Sequence, residues 1–219
     1  MVSAIVTAAG KNRRMRKDLL AKKIPLQNKL LLELKGKPVI TKTLENVLNT
    51  DVDRCIVVLG HYGEEIQPVI EMIDDDRIKI VKNSKFNVEL SQSLYNGVLK
   101  AEDGLCLCLA GDQPSVTTET MKNLIRIATN FDNLENIVSI MARGENGFLK
   151  TAKGLGMPFV CHSKTLKKFL KNKNSNLNPI LDDMINNGVI FYGLKPINIL
   201  ELVNINRYDD YLKIIKDKE

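Results

Sequence analysis

Three groups of residues have the types and spacing to handle phosphates. The first is Ala8-Ala9-Gly10-Lys11-Asn12-Arg13-Arg14-Met15, which directly follows the apolar run Ala4 to Ala8. Small residues let backbone amides approach a phosphate, and Lys11, Arg13 and Arg14 supply positive charge. The segment is neither Gly-x-x-x-x-Gly-Lys-Ser/Thr nor Gly-x-Gly-x-x-Gly, which disfavours a P-loop NTPase and a Rossmann dehydrogenase. The second group is Ala110-Gly111-Asp112-Gln113-Pro114, after the most apolar run of the chain, Leu105 to Ala110. A carboxylate there suits Mg²⁺, which takes one or two carboxylates together with phosphate oxygens and water. The plainer alternative is a polar turn whose exit Pro114 fixes. The third is Lys29, between a polar stretch and Leu30-Leu31-Leu32. As one of 32 basic residues it means nothing alone, and it gains weight only beside the other two groups.

Composition narrows the setting. A chain of 219 residues supports one sizeable core, or one domain with a small appendage. The net charge of +6 is spread among interspersed acids and bases, as on an ordinary solvated surface. The densest basic stretch, Lys164 to Lys173, carries Leu166, Phe169 and Leu170 at helical spacing and reads as the wet face of an amphipathic helix. With aromatics at only 5% there is little to stack on bases, so no nucleic-acid partner is expected. Cys55, Cys106, Cys108 and Cys161 form no Cys-x-x-Cys pair and sit in apolar runs, which suits reduced core thiols rather than zinc ligands. His61 and His162 read as structural or peripheral. No run approaches the roughly 20 apolar residues of a membrane span, and the start of the chain lacks a basic leader. The expectation is a cytoplasmic protein with no membrane partner.

The elements that must position these residues alternate in type. Apolar runs at Ala4–Ala8, Cys55–Leu59, Ile78–Val81, Leu105–Ala110 and Ile137–Ile140 read as strands. Helical patterns lie between them: Pro38 opens one with Ile40, Leu44, Val47 and Leu48 on a face. Another holds Ile66, Val69, Ile70 and Ile73, which Pro68 must interrupt or restart. Others centre on Leu94, Val98 and Leu99, and on Met121, Leu124, Ile125 and Ala128. This rhythm predicts an α/β fold with a doubly wound, mostly parallel sheet and helices on both faces. After Ala142 the pattern loosens. Arg143 to Gly156 reads as a long loop or small hairpin, and helices fall at about 163–171 and 179–187, with Asn178-Pro179 as N-cap and first turn. Strands are expected at Val189–Leu194 and Ile199–Ile205, and a closing helix at Tyr208–Lys216. One domain spans 1–219, with a nucleotide-binding part at 1–142 and an acceptor-side and closing part at 143–219.

Ala8-Ala9-Gly10, Arg14-Met15, Lys29-Leu30-Leu31, Gly36-Lys37-Pro38, Gly60-His61 and Gly111-Asp112-Gln113-Pro114 occur in this order. Their succession resembles the nucleotidyltransferase family that includes molybdenum cofactor cytidylyltransferase and guanylyltransferase, and Asn83 to Leu94 resembles its serine-rich segment. The resemblance implies a Rossmann-like nucleotidyltransferase fold, Mg²⁺, and transfer of a nucleotidyl group from a nucleoside triphosphate to a phosphorylated acceptor. It places Ala8, Ala9, Gly10, Lys11, Gly60, Asn83, Ser91, Ser93 and Gly111 around the nucleotide. It makes Arg14 and Lys29 the triphosphate cations and Asp112 the main metal ligand, with Asn204 and Asn206 as further metal contacts. Ala-Ala-Gly resembles the cytidylyl branch, so CTP is favoured, with molybdopterin as acceptor and transient contact with a molybdoenzyme or its chaperone.

Four departures bear on that picture. About ten extra residues, roughly Lys17 to Leu26, lengthen the phosphate loop as a lid or a tolerated surface insertion. Arg16 stands where the family has glycine. Asn204 and Asn206 replace the acids of the terminal metal motif. Gly156-Met157-Pro158 replaces a Gly-His-Pro or Gly-Asn-Pro acceptor segment. The alternatives they support are another phosphorylated acceptor (a sugar, alcohol or cofactor phosphate) and a non-catalytic nucleotide-binding module.

Overall fold

The computed structural model describes residues 1–85, 88–144 and 146–216. Residues 86 and 87 of the serine-rich run, and Glu145 of the glycine-rich stretch, therefore lie outside the described residues.

Strand β1, Val2–Ala8, alternates strictly, and that alternation divides the protein into two cores. Ala4, Val6 and Ala8 face one apolar cluster, and Ile5 faces the other. Around β1 lie β4 (Arg54–Leu59), β5 (Ile78–Lys82), β6 (Leu105–Ala110), β7 (Ile137–Met141), β8 (Gly147–Leu149), β9 (Phe159–His162) and β10 (Ile190–Leu194). Glu33–Leu34 (β2) and Lys37–Pro38 (β3) form a separate two-stranded ribbon. The main sheet has eight strands in the order β5-β4-β1-β6-β9-β7-β10-β8. β9 runs antiparallel to both β6 and β7, and β8 antiparallel to β10, while the other pairings are parallel. Strand order therefore reverses direction at β1, where β4 lies on one side and β6 on the other. That switch point is where ligands sit in open α/β sheets.

The helices are α1 (Arg13–Ala21), α2 (Val39–Leu48), α3 (Gly63–Glu71), α4 (Leu90–Val98), α5 (Thr118–Thr129), α6 (Ser163–Leu170), α7 (Asn178–Asn186) and α8 (Tyr208–Lys216). Buried residues of α1, α2, α3, α5 and α8 join the first cluster, and those of α4, α6 and α7 the second, so helices cover both faces as expected. The four cysteines are free and buried. Burial pushes the Cys55 and Cys106 thiols up to about 12, and raises Cys108 and Cys161 as well, so all four stay protonated near neutrality. Among the described residues no helix is long and apolar enough to cross a membrane.

Several expectations are corrected. Pro68 lies inside α3 without interrupting it. The missing amide removes one bond of the ladder, while buried Ile66 and Ile70 hold the helix to the core. Residues 17–21 belong to α1 rather than to a longer loop, because Met15 and Leu19, one turn apart, are both buried. Asp18 also anchors this helix, accepting from Arg207 at 3.1 Å and from the Tyr208 amide at 3.3 Å. α7 begins at Asn178 itself, whose side-chain amide donates outward to the Ala152 and Leu155 carbonyls, leaving Leu177 as N-cap. Among the described residues the glycine-rich stretch does not pair with itself, since β8 adds to the edge of the sheet beside β10. Ile199–Ile205 is not a strand: Ile199–Leu202 is a 3₁₀ turn and the chain then runs irregularly to α8. Glu201 decides this. It is fully buried and accepts from the Thr117 amide (2.8 Å), the Thr117 and Thr120 hydroxyls (2.6 and 2.9 Å) and the Ile197 amide (2.8 Å). Those bonds turn the backbone inward over the start of α5. Finally, β9 adds to the expected strands one that inserts antiparallel between β6 and β7.

Candidate active site

The carboxyl ends of β1 and β6 open into a cavity of about 480 Å³. Its floor is the turn Ala8 to Arg14, where Asn12 adopts a left-handed conformation (φ 55°) to enter α1. The Asn12 side chain does not cap that helix but donates to the Gln27 carbonyl at 3.1 Å, so the first-turn amides of α1 have no side-chain acceptor. Gly60 makes this turn possible, because a Cβ there would lie 2.7 Å from the Ala9 Cβ. At Gly111 a Cβ would meet only the tip of Ile40, Cδ1 at 2.8 Å, which a small side-chain shift can relieve.

Lys29 reaches the same cavity from a short 3₁₀ turn, Lys29–Leu31, whose N-cap Asn28 accepts from the Leu30 amide. The Lys29 ammonium ion-pairs with Asp112 Oδ2 and lies 3.4 Å from Asn206 Oδ1. Arg14 donates to the same Asn206 oxygen at 2.9 Å. Asp112 is 9% exposed, and its other oxygen, Oδ1, is buried without a hydrogen-bond partner among the described residues. An orphaned carboxylate oxygen beside a lysine and an amide carbonyl suits a divalent cation. No cluster of three or more His, Cys, Asp or Glu among the described residues could hold one unaided. Phosphate oxygens and water would have to complete its shell, as Mg²⁺ prefers.

The structure gathers Ala8, Ala9, Gly10, Lys11, Arg14, Lys29, Ser93, Asp112, Asn204 and Asn206 around this cavity. Gly60, Asn83, Ser91 and Gly111 do not line it. Asn83 stands behind Ser93, donating to its hydroxyl at 2.9 Å, and Ser91 is buried, accepting from the Ser175 amide at 2.8 Å. A second cavity, of about 580 Å³, adjoins the first, and Arg14, Asn204 and Asn206 belong to both. Its other walls include Arg143, Met157, Leu202 and Arg207. Arg143 and Arg207 were not singled out in the sequence; a basic residue just past the strand Ile137–Ile140, and another just after Asn206, were the available signals. The histidines are structural or exposed: His162 Nδ1 accepts from the Lys164 amide at the start of α6, and His61 packs edge-on against Tyr62.

An open α/β sheet with a basic phosphate turn and a lysine–carboxylate pair at its switch point has the Rossmann-like nucleotidyltransferase fold. The chain belongs to the MobA-like NTP transferase domain family, which matches residues 4–184. It is similar to a solved nucleotidyl transferase from Methanothermobacter, with 40% identity, a TM-score of 0.92, and coverage of 99% of this chain and 97% of that one. It also resembles a solved 4-diphosphocytidyl-2C-methyl-D-erythritol synthase from Anaerococcus prevotii, at 15% identity and a TM-score of 0.72, covering 100% of this chain and 96% of that one; this likeness shows the fold alone. The bifunctional protein GlmU of Streptococcus uberis is 27% identical over 93% of this chain. The chain spans only 41% of that protein, less than half the length of such curated relatives.

Proposed function

We propose that this chain transfers a nucleotidyl group from a nucleoside triphosphate to a phosphomonoester, releasing pyrophosphate, with CTP and molybdopterin as the favoured pair. The observation that carries the reading is the continuous set Arg14, Lys29, Asp112 and Asn206, placed where a phosphate-floored cavity meets a second, arginine-walled one. An acceptor phosphate oxygen attacks the α-phosphorus, and the bond from that phosphorus to the β-phosphate oxygen breaks. Ala9, Gly10 and the start of α1 bind the leaving phosphates through backbone amides, while Lys29 and Arg14 neutralise the charge that develops. Asp112 and Asn206 would hold a divalent ion, with Mg²⁺ favoured, and such an ion would add charge neutralisation on the phosphates. An anionic phosphate needs no general base, which fits a site without a poised histidine. Positioning and electrostatics carry the catalysis.

Ala9 favours CTP over GTP. Met157 in the acceptor wall favours the second reading, an acceptor other than molybdopterin: a sugar, alcohol or cofactor phosphate. The deciding experiment measures pyrophosphate release with each of the four nucleoside triphosphates, with molybdopterin and with simpler phosphomonoesters. CTP with molybdopterin is expected to be turned over fastest, and a preference for GTP reverses the base assignment. Asp112→Ala is expected to lower turnover at least ~100-fold; release near the unaltered level would sink the assignment.

A further inference from the structure

We infer that Gln113 fixes the hydrogen-bonding direction of Asn204, and that Asn204 meets the transferred phosphoryl group as an amide donor instead of serving a metal as a carbonyl ligand. The inference rests on the transfer reading above and adds to it a residue whose chemistry is the reverse of that expected from the terminal motif.

The argument is one of polarity. Gln113 is 1% exposed, so its amide must be matched inside the protein. The Ala110 backbone N–H can only donate, and it lies 2.9 Å from one end of that amide, which is therefore Oε1. The Met157 carbonyl can only accept, and it lies 2.8 Å from the other end, which is therefore Nε2. Two backbone groups thus orient Gln113 independently. Its remaining N–H points at the Asn204 side chain, 3.1 Å away, so the Asn204 atom facing it must be the acceptor Oδ1.

The Asn204 carbonyl is thereby turned into the wall, and its NH₂ is left directed away from Gln113. That NH₂ makes no hydrogen bond within the described residues, and Asn204 lines both cavities. The backbone is held as well, since the Ile205 amide donates to the Asp112 carbonyl at 3.0 Å. Asn206 has the opposite polarity: its Oδ1 faces the cations of Arg14 and Lys29. Two asparagines two positions apart therefore present unlike ends. Asn206 offers a carbonyl where positive charge collects, and Asn204 offers two N–H groups where the cavities join. The phosphoryl group that passes between the cavities crosses that junction, and negative charge grows on its oxygens. A neutral donor already fixed by a buried glutamine meets that charge without reorganising.

Asn204→Asp keeps an oxygen for Gln113 and replaces the donor with an anionic oxygen, while Asn204→Ala removes both. A donor role expects Asn204→Asp to be the slower of the two, at least ~100-fold below the unaltered protein in kcat. A metal-ligand role predicts the reverse order, because a carboxylate binds the cation better than a methyl group. Asn204→Asp equal to or faster than Asn204→Ala therefore overturns the inference. Gln113→Leu tests the relay: its loss in kcat is expected to vanish in an Asn204→Ala background, whereas a purely structural glutamine would cost the same in both. If Gln113→Leu does not fold, the order of the two Asn204 variants still decides. If the unaltered protein releases no pyrophosphate from any pair of substrates, the transfer reading alone falls. The same variants are then compared by calorimetry for Mg²⁺–nucleotide binding. Weaker binding by Asn204→Asp than by Asn204→Ala supports the donor, and the opposite order overturns it.

Discussion

Replacing Lys29 with methionine preserves the length of the side chain and removes its charge. Asp112 then loses the cation on Oδ2 while Oδ1 still lacks a partner, and the carboxyl side chain is only 12% exposed. Removing one member of a buried ion pair costs about 3–5 kcal/mol. The open cavity lets some water reach this pair, so we expect a loss nearer ~2–4 kcal/mol in metal-free buffer. For a chain of this size each kcal/mol moves the melting temperature by roughly 2–4 °C, giving a drop on the order of 10 °C. Both oxygens of the carboxylate are then open to a divalent ion. Mg²⁺ at a hundred times its dissociation constant adds about 2.7 kcal/mol and should restore most of the loss. In the unaltered protein Lys29 competes for the same carboxylate, so Mg²⁺ without nucleotide should barely raise the melting temperature. Calorimetric melts of both proteins, with and without Mg²⁺, read all four quantities. Equal Mg²⁺ stabilisation of the two proteins, or a variant as stable as its parent without metal, would refute the reasoning.

Further predictions concern the supports of the site. Gly60→Ala should weaken nucleotide binding at least ~10-fold while leaving the circular dichroism spectrum unchanged, because the new methyl displaces Ala9 and its turn; undiminished affinity in a binding titration would count against the close-approach argument. Glu201→Gln puts an NH₂ among donors that need an oxygen, and urea unfolding should report a loss of about 2–4 kcal/mol. Stability should also fall in alkali. Desolvation raises the folded-state Cys55 and Cys106 thiols to about 12, so their contribution is complete below the unfolded value of 9.0 and is lost as pH climbs toward 12. Near pH 10 the loss is on the order of 1 kcal/mol per thiol, and Cys106→Ala should flatten the decline in urea midpoints between pH 8 and 10.5; an unchanged slope would remove the thiols as its cause.

Much of the sheet was legible because its central strands are continuous apolar runs, and β1, β4 and β6 begin and end close to where those runs do. β9 escaped notice because four residues after Met157-Pro158 carry no period of their own, and antiparallel insertion between β6 and β7 is a tertiary decision. The strand expected at Ile199–Ile205 failed for a related reason. Its apolar letters look strand-like, but Glu201 in their midst finds three donors at the start of α5 and a fourth in the nearby Ile197 amide. In the site, residue types and order pointed to Arg14, Lys29 and Asp112, which the fold brings within one hydrogen-bonded set with Asn206. The direction of an asparagine amide could not be read in this way. It depends on Gln113, which is 91 positions away in sequence, and on two backbone groups.

The bond from the Ile205 amide to the Asp112 carbonyl joins parts of the site made far apart in time during synthesis. A chain emerging from the ribosome carries Arg14, Lys29 and Asp112 long before Asn204, Asn206 and Arg207 exist. β1, β4, β5 and β6 are complete by Ala110, so the strands that carry the phosphate half can pair early, with Lys29 available to neutralise Asp112. The second cavity, with Arg143, Met157, Asn204 and Arg207 in its wall, is complete only once β9, β10 and the returning segment have been made.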